Sequence, residues 1–539
     1  MKIEKSGFLI NFWTVIFCFF FVFFINTAGV SAQTDDNIET SENLTFNFNL
    51  SALISGSGAY YFQQSEFNYG FETWLHMNIY GNLGNSVSYF TGIGVGLVNV
   101  ERQLLEKNVE MKDRLAIGET WTLVDIYNYP LGYFPYSYRS SWDGFIFPLN
   151  ALNAGGPSGW PDTTSIGIST SFGISGSVFN DVFKWNIGRH EREAAAVVEG
   201  YSLVLNKFAQ PFLGYDLTLN LFSWLSVYHV TGSLEYFSSK GIKESSKTFQ
   251  NAFSLTMMSV NIFDYVKLEA GSSVIWPKRF ELGYLFPGFH LLIQNSYGDF
   301  DNLAMFGNIK LQYPGLGLLW FSLFIDEINF EENFFSLARE MYAYQAGLQY
   351  QASFLPSGLF TLSYTKIEPY NYTHQKTDVP WYNQPMEQAY TNHGYGLGYY
   401  LPPNSDELKL VFSFNALEQT RLNFQFQMIR HGAEYGDNKV FGSSYMSELQ
   451  ENDRSNIFKN FLNDGAYQWL FIIKAGGDHT FNEIPLIINF PIFNKLQMSL
   501  IFNAGVVISY WTCNGSVLDN AQYPSRTGVI MDIGFKMTF

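Results

Sequence analysis

The segment Glu368 to His393 holds the densest set of groups that could grip a polar ligand. It carries Tyr370, Tyr372, His374, Trp381, Tyr382, Tyr390 and His393 together with Glu368, Asp378 and Glu387. Aromatic faces stack on the C–H faces of sugar rings, while carboxylates and imidazoles bond the hydroxyls. Tyr370, Tyr372, His374, Trp381, Tyr382 and His393 are therefore candidate glycan contacts. The competing expectation is that these rings pack the segment on itself or belong to a membrane girdle. Asp326-Glu327 is a second acidic feature, at an expected strand end. Successive residues of a strand point to opposite faces, which argues against a shared acid–base pair. One of the two is expected to face an arginine across the interior, and Arg189 is the candidate.

Other chemistry is weakly represented. The eight histidines show no His-x-x-x-His spacing for zinc, and no Gly-x-Ser-x-Gly elbow occurs. Asp299-Phe300-Asp301-Asn302 lacks the glycine and distant glutamate of a calcium loop. The expectation is a protein without catalysis, metal or cofactor.

The elements that would position these groups are strands. Val529, Met531, Ile533, Phe535, Met537 and Phe539 alternate with Ile530, Asp532, Gly534, Lys536 and Thr538. Period-2 alternation puts the two sets on opposite faces of one strand. An apolar face ending on an exposed aromatic suits a membrane barrel, with lipid outside and the last ring in the interfacial girdle. Phe535, Met537 and Phe539 resemble the terminal signal that the outer-membrane barrel-assembly machinery reads. The same alternation recurs in Thr91 to Leu97, Ser165 to Val178, Arg421 to Met428 and Lys495 to Tyr510. The second face in these strands is glycine, serine, asparagine or glutamine, so the lumen is expected to be wet or filled by polar loops.

The N-terminus supports the same compartment. Lys2 and Lys5 precede an apolar run from Phe12 to Ile25, and Val30-Ser31-Ala32 is a small-residue cleavage site. Residues 1–32 read as a signal peptide, 33–43 as a short polar periplasmic leader and 44–539 as the barrel. Cleavage removes two lysines and one glutamate, moving the net charge from −17 to −18. An acidic chain has no footprint for nucleic acid. Cys513 is then the one remaining cysteine, so no internal disulfide is expected. After Ala32 no stretch reaches the roughly 20 apolar residues of a spanning helix. A membrane protein without such helices must close its strands into a barrel. Removing 32 of 539 residues leaves 507, and about 25–30 residues per strand and loop gives roughly 16–20 strands. Loops are expected at Glu101 to Arg114, Tyr129 to Asp162, Glu368 to Asn392 and Ser443 to Asp464.

Several segments in a shared order resemble the capsule-assembly Wzi-like family of outer-membrane barrels. They are Trp185-Asn186-Ile187-Gly188-Arg189, Leu205-Asn206 with Ala209 and Pro211-Phe212, Leu234-Glu235-Tyr236 and Phe324-Ile325-Asp326-Glu327. Glu368-Pro369-Tyr370-Asn371-Tyr372-Thr373-His374 follows, then Tyr390, His393, Leu397-Gly398, Asn404 and Asp406. The matches span about residues 185 to 414. Glu193-Ala194-Ala195-Ala196 stands where the family often has Trp-Gly-Pro-Gly, and Gly398-Tyr399 where it often has Gly-His. The resemblance implies an 18-stranded barrel and a lectin-like hold on surface polysaccharide.

The combined expectation is an all-β protein: one transmembrane antiparallel barrel of about 18 strands in the bacterial outer membrane, its polar lumen occluded by loops. It is expected to bind or organise surface polysaccharide, with outer-membrane lipid and the assembly machinery as its other partners. The rival expectation is a porin-like channel for small solutes. A third, an outer-membrane hydrolase, needs a constellation that sequence does not assemble.

Overall fold

The computed structural model describes residues 44–98, 144–148, 165–235, 250–327, 341–372, 388–432 and 461–538, apart from a few residues inside those ranges. Eighteen of the strands form one closed antiparallel ring. They are β1 (Asn47–Tyr61), β2 (Glu66–Leu83), β3 (Val87–Val98), β4 (Ser165–Val178), β5 (Phe183–His190) and β6 (Phe212–Phe222). Then come β7 (Leu225–Glu235), β8 (Gln250–Ile262), β9 (Val266–Pro277), β10 (Asn302–Tyr313), β11 (Gly317–Glu327) and β12 (Met341–Ala352). The ring continues through β13 (Gly358–Ile367), β14 (Ser405–Leu417), β15 (Thr420–Gly432), β16 (Ala466–Phe490), β17 (Phe493–Cys513) and β18 (Arg526–Thr538). Each strand pairs with the next in sequence, and β18 returns to β1 from Ser51↔Thr538 to Tyr61↔Gly528. Gly144–Pro148 adds to the side of β4, and Ser516–Leu518 to β17, both outside the ring. The first of these lies inside the Tyr129 to Asp162 stretch expected to be loop.

The two ends of the barrel differ. At one end no connection exceeds five residues, as in the turns 84–86, 223–224 and 418–419. Gly315 holds a φ of 75° in such a turn, a conformation that glycine reaches without a Cβ penalty. The opposite end bears the long connections 99–164, 368–404 and 433–465. The expected loop segments all fall within these three. Residues 101–114 and 443–460 lie outside the described residues.

The faces follow the alternation. In β18, Val529, Met531 and Ile533 are exposed on the outer wall while Ile530 and Asp532 are buried inside. Phe535 and Met537 are half-buried in the same outward series, and Phe539 lies outside the described residues. Phe172, Ile174, Ile93, Leu422 and Phe424 likewise face out, and Gln427 faces in. Glycine on the inner face makes room for large rings. A Cβ at Gly347 would meet the Trp320 indole at 2.1 Å, and that indole Nε1–H donates to Gln345 at 3.0 Å.

On β7 to β9 the rule inverts near the long-loop end. Val230, Phe253, Leu255 and Ile275 face inward, whereas His229, Thr231, Ser254, Thr256 and Ser272 sit on the outward rows. Two covers explain the inversion. Inside, a strap formed by residues 191–211 packs on the apolar set together with Leu397, Tyr390 and Tyr372. Outside, a flap formed by residues 279–297 lies on the polar set. The flap includes a short turn at Leu282–Tyr284 and the helix α1 (His290–Tyr297). The lumen filling is thus not polar alone, as composition suggested. It has an apolar core where strap and wall exclude water together.

The wall itself is testable. Ile533→Lys puts a charge on the lipid face and should cost about 2–4 kcal/mol near the bilayer midplane. Asn423→Lys, on the lumen face, should cost far less. Urea unfolding in lipid vesicles reads both. Circular dichroism of the folded protein should be β-dominated, since the one helix among the described residues spans only His290–Tyr297.

Candidate functional site

The strap is fixed to the wall by a buried ion pair. Arg192 follows β5 directly, and its Nε–H reaches both Asp216 oxygens at 3.0 Å. Its remaining N–H groups donate to the carbonyls of Phe212 at 2.6 Å and Gly188 at 3.0 Å. The guanidinium lies 4.6 Å from the centre of the Phe212 ring. Tyr228 O–H donates to Asp216 at 2.6 Å, and His190 Nε2 lies 3.2 Å from the same carboxylate. Both charges are therefore taken out of water only where every lone pair has a donor.

From that anchor the strap crosses the lumen. Ser202 Oγ donates to Ala194 and accepts from the amides of Val204 and Leu205, which folds the strap back on itself. Asn308 of β10 reaches the Ala195 carbonyl at 2.7 Å. Tyr201 packs edge-on to Trp320 of β11, and Lys409 of β14 lies 5.2 Å from the centre of its ring. From β5 to β14 is nine of eighteen strands, half the circumference. Glu193 is half-buried near the strap's origin and accepts from Gly200 N–H at 2.7 Å. Burial pushes its carboxyl above the usual range, although the Gly200 and Lys207 amides oppose the shift.

The connection between β13 and β14 locks onto the strap. Tyr372 N–H donates to Asp326 at 2.6 Å, and its hydroxyl donates to the Leu203 carbonyl at 2.7 Å. Tyr390 N–H returns to the Tyr372 carbonyl at 3.0 Å, with the two rings stacked 5.8 Å apart. Tyr390 O–H reaches Ser273 on β9 at 3.0 Å. Burial raises both phenol pKa values, so each ring stays a neutral donor. A Cβ at Gly398 would meet the Leu203 carbonyl at 2.6 Å and the Tyr372 ring at 2.8 Å, so only glycine lets the two segments touch. Tyr370 and Tyr372 both hold φ of 66°. Left-handed backbone at a bulky residue costs about 1–3 kcal/mol and persists only where packing over-determines it.

The candidate residues are thus placed as follows. Tyr370 and Tyr372 are buried at the root of the connection rather than at its surface. Asn371 between them is buried too, with neither amide atom partnered among the described residues. His374, Trp381, Tyr382 and His393 lie outside the described residues. Asp326 sits at a register shift between Ile325 and Glu327 and serves Tyr372. Arg189 shares its row with Phe172 and Leu213, which are on the outer wall, and donates to the Thr170 carbonyl. The lumen carboxylate Asp216 is instead met by Arg192, three positions along and past the strand end. A one-residue change of place on a strand reverses the face.

A second group, not singled out as a site in the sequence, forms where β14 and β15 meet the 368–404 connection. Glu407 accepts from Tyr399 O–H at 2.6 Å and Gln427 Nε2 at 2.7 Å, and from Tyr400 O–H. Lys409 lies between the Tyr201 and Tyr400 rings, 5.2 and 5.8 Å from their centres. Carboxylate, amide, ammonium and half-buried rings meet here, the chemistry expected of a sugar contact. Among the described residues, no cluster of three or more His, Cys, Asp or Glu could hold a metal.

No protein-family model and no curated protein matches the sequence. Among solved structures the chain is similar to Wzi, a carbohydrate-binding β-barrel involved in group 1 capsule assembly in Escherichia coli. The two share 10% identity over 90% of this chain and 83% of that one, with a TM-score of 0.45. It is similar as well to OccAB3 of Acinetobacter baumannii, at 9% identity, 92% and 99% coverage and a TM-score of 0.42. OpdK of Pseudomonas aeruginosa with vanillate gives 9% identity, 92% and 99% coverage and a TM-score of 0.43.

Two substitutions separate anchor from filler. Arg192→Met strands Asp216 in the lumen and should destabilise by about 3–5 kcal/mol. Asn371→Leu replaces an unpartnered amide and should be neutral or stabilising. Both are read as shifts in the urea midpoint. Glu193 adds a pH dependence. Its raised pKa means that its contribution is fully present below about the unfolded value of 4.5 and is lost as pH rises through the folded value. Glu193→Gln should flatten that dependence.

Proposed function

We propose that this outer-membrane barrel binds or organises surface polysaccharide and performs no catalysis. The observation that carries the reading is the strap, anchored at Arg192 and reaching Lys409 on the opposite wall. A lumen crossed in this way suits a rigid pedestal better than a diffusion path. Tyr372 and Tyr390, joined by a backbone bond and stacked rings, hold together the two ends of the excursion 373–389. That excursion carries His374, Trp381 and Tyr382 in its sequence, with His393 just beyond it. The glycan contacts are assigned to these residues, and Tyr370 and Tyr372 to their support. The protein reaches the outer membrane after cleavage near Ala32, with Phe535, Met537 and Phe539 read by the assembly machinery.

The runner-up, a channel for small solutes, draws on the polar lumen face toward the short turns. Gln349, Thr361, Ser413 and Arg421 line it, with Lys474 3.8 Å from Asp532.

The two readings diverge experimentally. Under the first, the wild type is closed in a planar bilayer. Trp381→Ala then loses retention of surface polysaccharide on cells, with assembly unchanged. Steady wild-type conductance with normal retention by Trp381→Ala would favour the channel. Glu407→Gln should leave retention intact if only the excursion 373–389 and His393 hold glycan.

A further inference from the structure

The flap 279–297 has the polarity of a protein turned inside out. Its inner side carries the polar contacts. His290 lies 3.2 Å from Ser272 Oγ, 3.3 Å from Ser254 Oγ and 3.4 Å from Thr256 Oγ1. Thr231 Oγ1 donates to the Tyr284 carbonyl at 3.0 Å, and Tyr215 O–H donates to that of Leu285. Arg279 grips Asp301 with two bonds of 2.9 and 2.6 Å, and Tyr284 O–H reaches the same carboxylate at 2.9 Å. The opposite side presents Phe280, Leu282, Phe286, Leu291 and Leu292, with Leu292 66% and Phe280 81% exposed. From Leu282 to Tyr297 the sequence holds no Asp, Glu, Lys or Arg. A loop facing water would show the reverse arrangement.

Depth agrees with polarity. Ser272 lies five residues below the end of β9 at Pro277. That is roughly 16 Å along the strand, or about 12 Å of depth at a tilt of about 40°. The outer face of the neighbouring strands is itself apolar, with Leu213 on β6 and Ile309 on β10 exposed. The flap's outer side continues that surface.

We propose that the flap is immersed in the bilayer, its apolar side meeting lipid acyl chains and its polar side sealing a hydroxyl- and imidazole-bearing patch of the barrel wall from hydrocarbon. An outward polar patch on strands would cost several kcal/mol for each unpartnered group in lipid. The flap supplies the partners from the chain itself. The inference rests on the barrel spanning a membrane, so the experiment carries its own control for that.

Nitroxide labels at Phe286→Cys and Leu292→Cys, in a Cys18→Ser, Cys513→Ser background, are compared in lipid vesicles with Phe424→Cys on the bare wall and Asp181→Cys in an exposed turn. Collision with oxygen and with a water-soluble nickel chelate is measured by electron paramagnetic resonance. The flap sites are expected to match Phe424→Cys, oxygen-rich and nickel-poor. Nickel accessibility like that of Asp181→Cys would overturn the proposal by placing the flap in water. Low collision with both reagents would overturn it in favour of a protein partner. If Phe424→Cys is itself nickel-accessible, the membrane reading fails and the flap inference fails with it. A second variant tests the clasp. Adding His290→Ala should mobilise the label at Leu292→Cys, and an unchanged, immobile spectrum would refute the clasping role of His290.

Discussion

Hydrocarbon offers no hydrogen-bond partner, and the architecture follows from that constraint. Each strand must be paired on both sides, so the sheet has to close. Closure falls to β1 and β18, whose eleven paired positions run from Ser51↔Thr538 to Tyr61↔Gly528. Once the ring is shut, side chains alternate between lipid and lumen. The same requirement applies to any polar group that strays onto the outer wall. On β7 to β9 such groups occur as a patch, and there the chain lays a flap across them with its own polar atoms turned inward.

The lumen is governed by a different balance. A ring of this size encloses more space than its own side chains fill, and the strap takes up part of it. Its apolar residues, Leu203, Val204 and Leu205, pack with Leu397 and Tyr372 as a small soluble-type core inside a membrane barrel. The charged anchor at Arg192 and Asp216 is tolerable because Phe212, Gly188, Tyr228 and His190 complete its bonding. Burial of an ion pair is weak evidence for stability by itself. Here it fixes where the strap leaves the wall, and the later contacts with Asn308, Trp320 and Lys409 depend on that starting point.

The wall was the legible part of the sequence. Alternation in Val529 to Phe539 and in Arg421 to Met428 predicts the faces seen in β18 and β15, because lipid and lumen impose opposite demands at adjacent positions. Spacing bounded the strand number at roughly 16–20, the resemblance implied 18, and long connections followed from loss of alternation. The interior was less legible. Arg189 reads as a lumen charge, yet the register gives that role to Arg192, since strand ends are poorly marked in sequence. Tyr370 and Tyr372 carry sugar-binding side chains but also a left-handed backbone that no pattern signals. Glu407 and Tyr400 fall between the Leu397-Gly398 and Asp406 matches or beside them, and Tyr399 reads in the sequence only as a departure from the family pattern. Their grouping depends on a strap that begins two hundred residues earlier. The inverted patch on β7 to β9 breaks the alternation rule for a tertiary reason, the presence of covers on both sides.

Ring closure also dictates an order of events. Every other seam of the wall joins strands that are neighbours in the chain, so it can zip locally at small loop-closure cost. The seam between β1 and β18 joins the first strand to the last, and its contact order is the largest the chain allows. Until that seam forms, the sheet keeps two open edges. Those edges are adhesive toward other chains for that whole interval. Pairing of β18 with β1 is what ends that exposure.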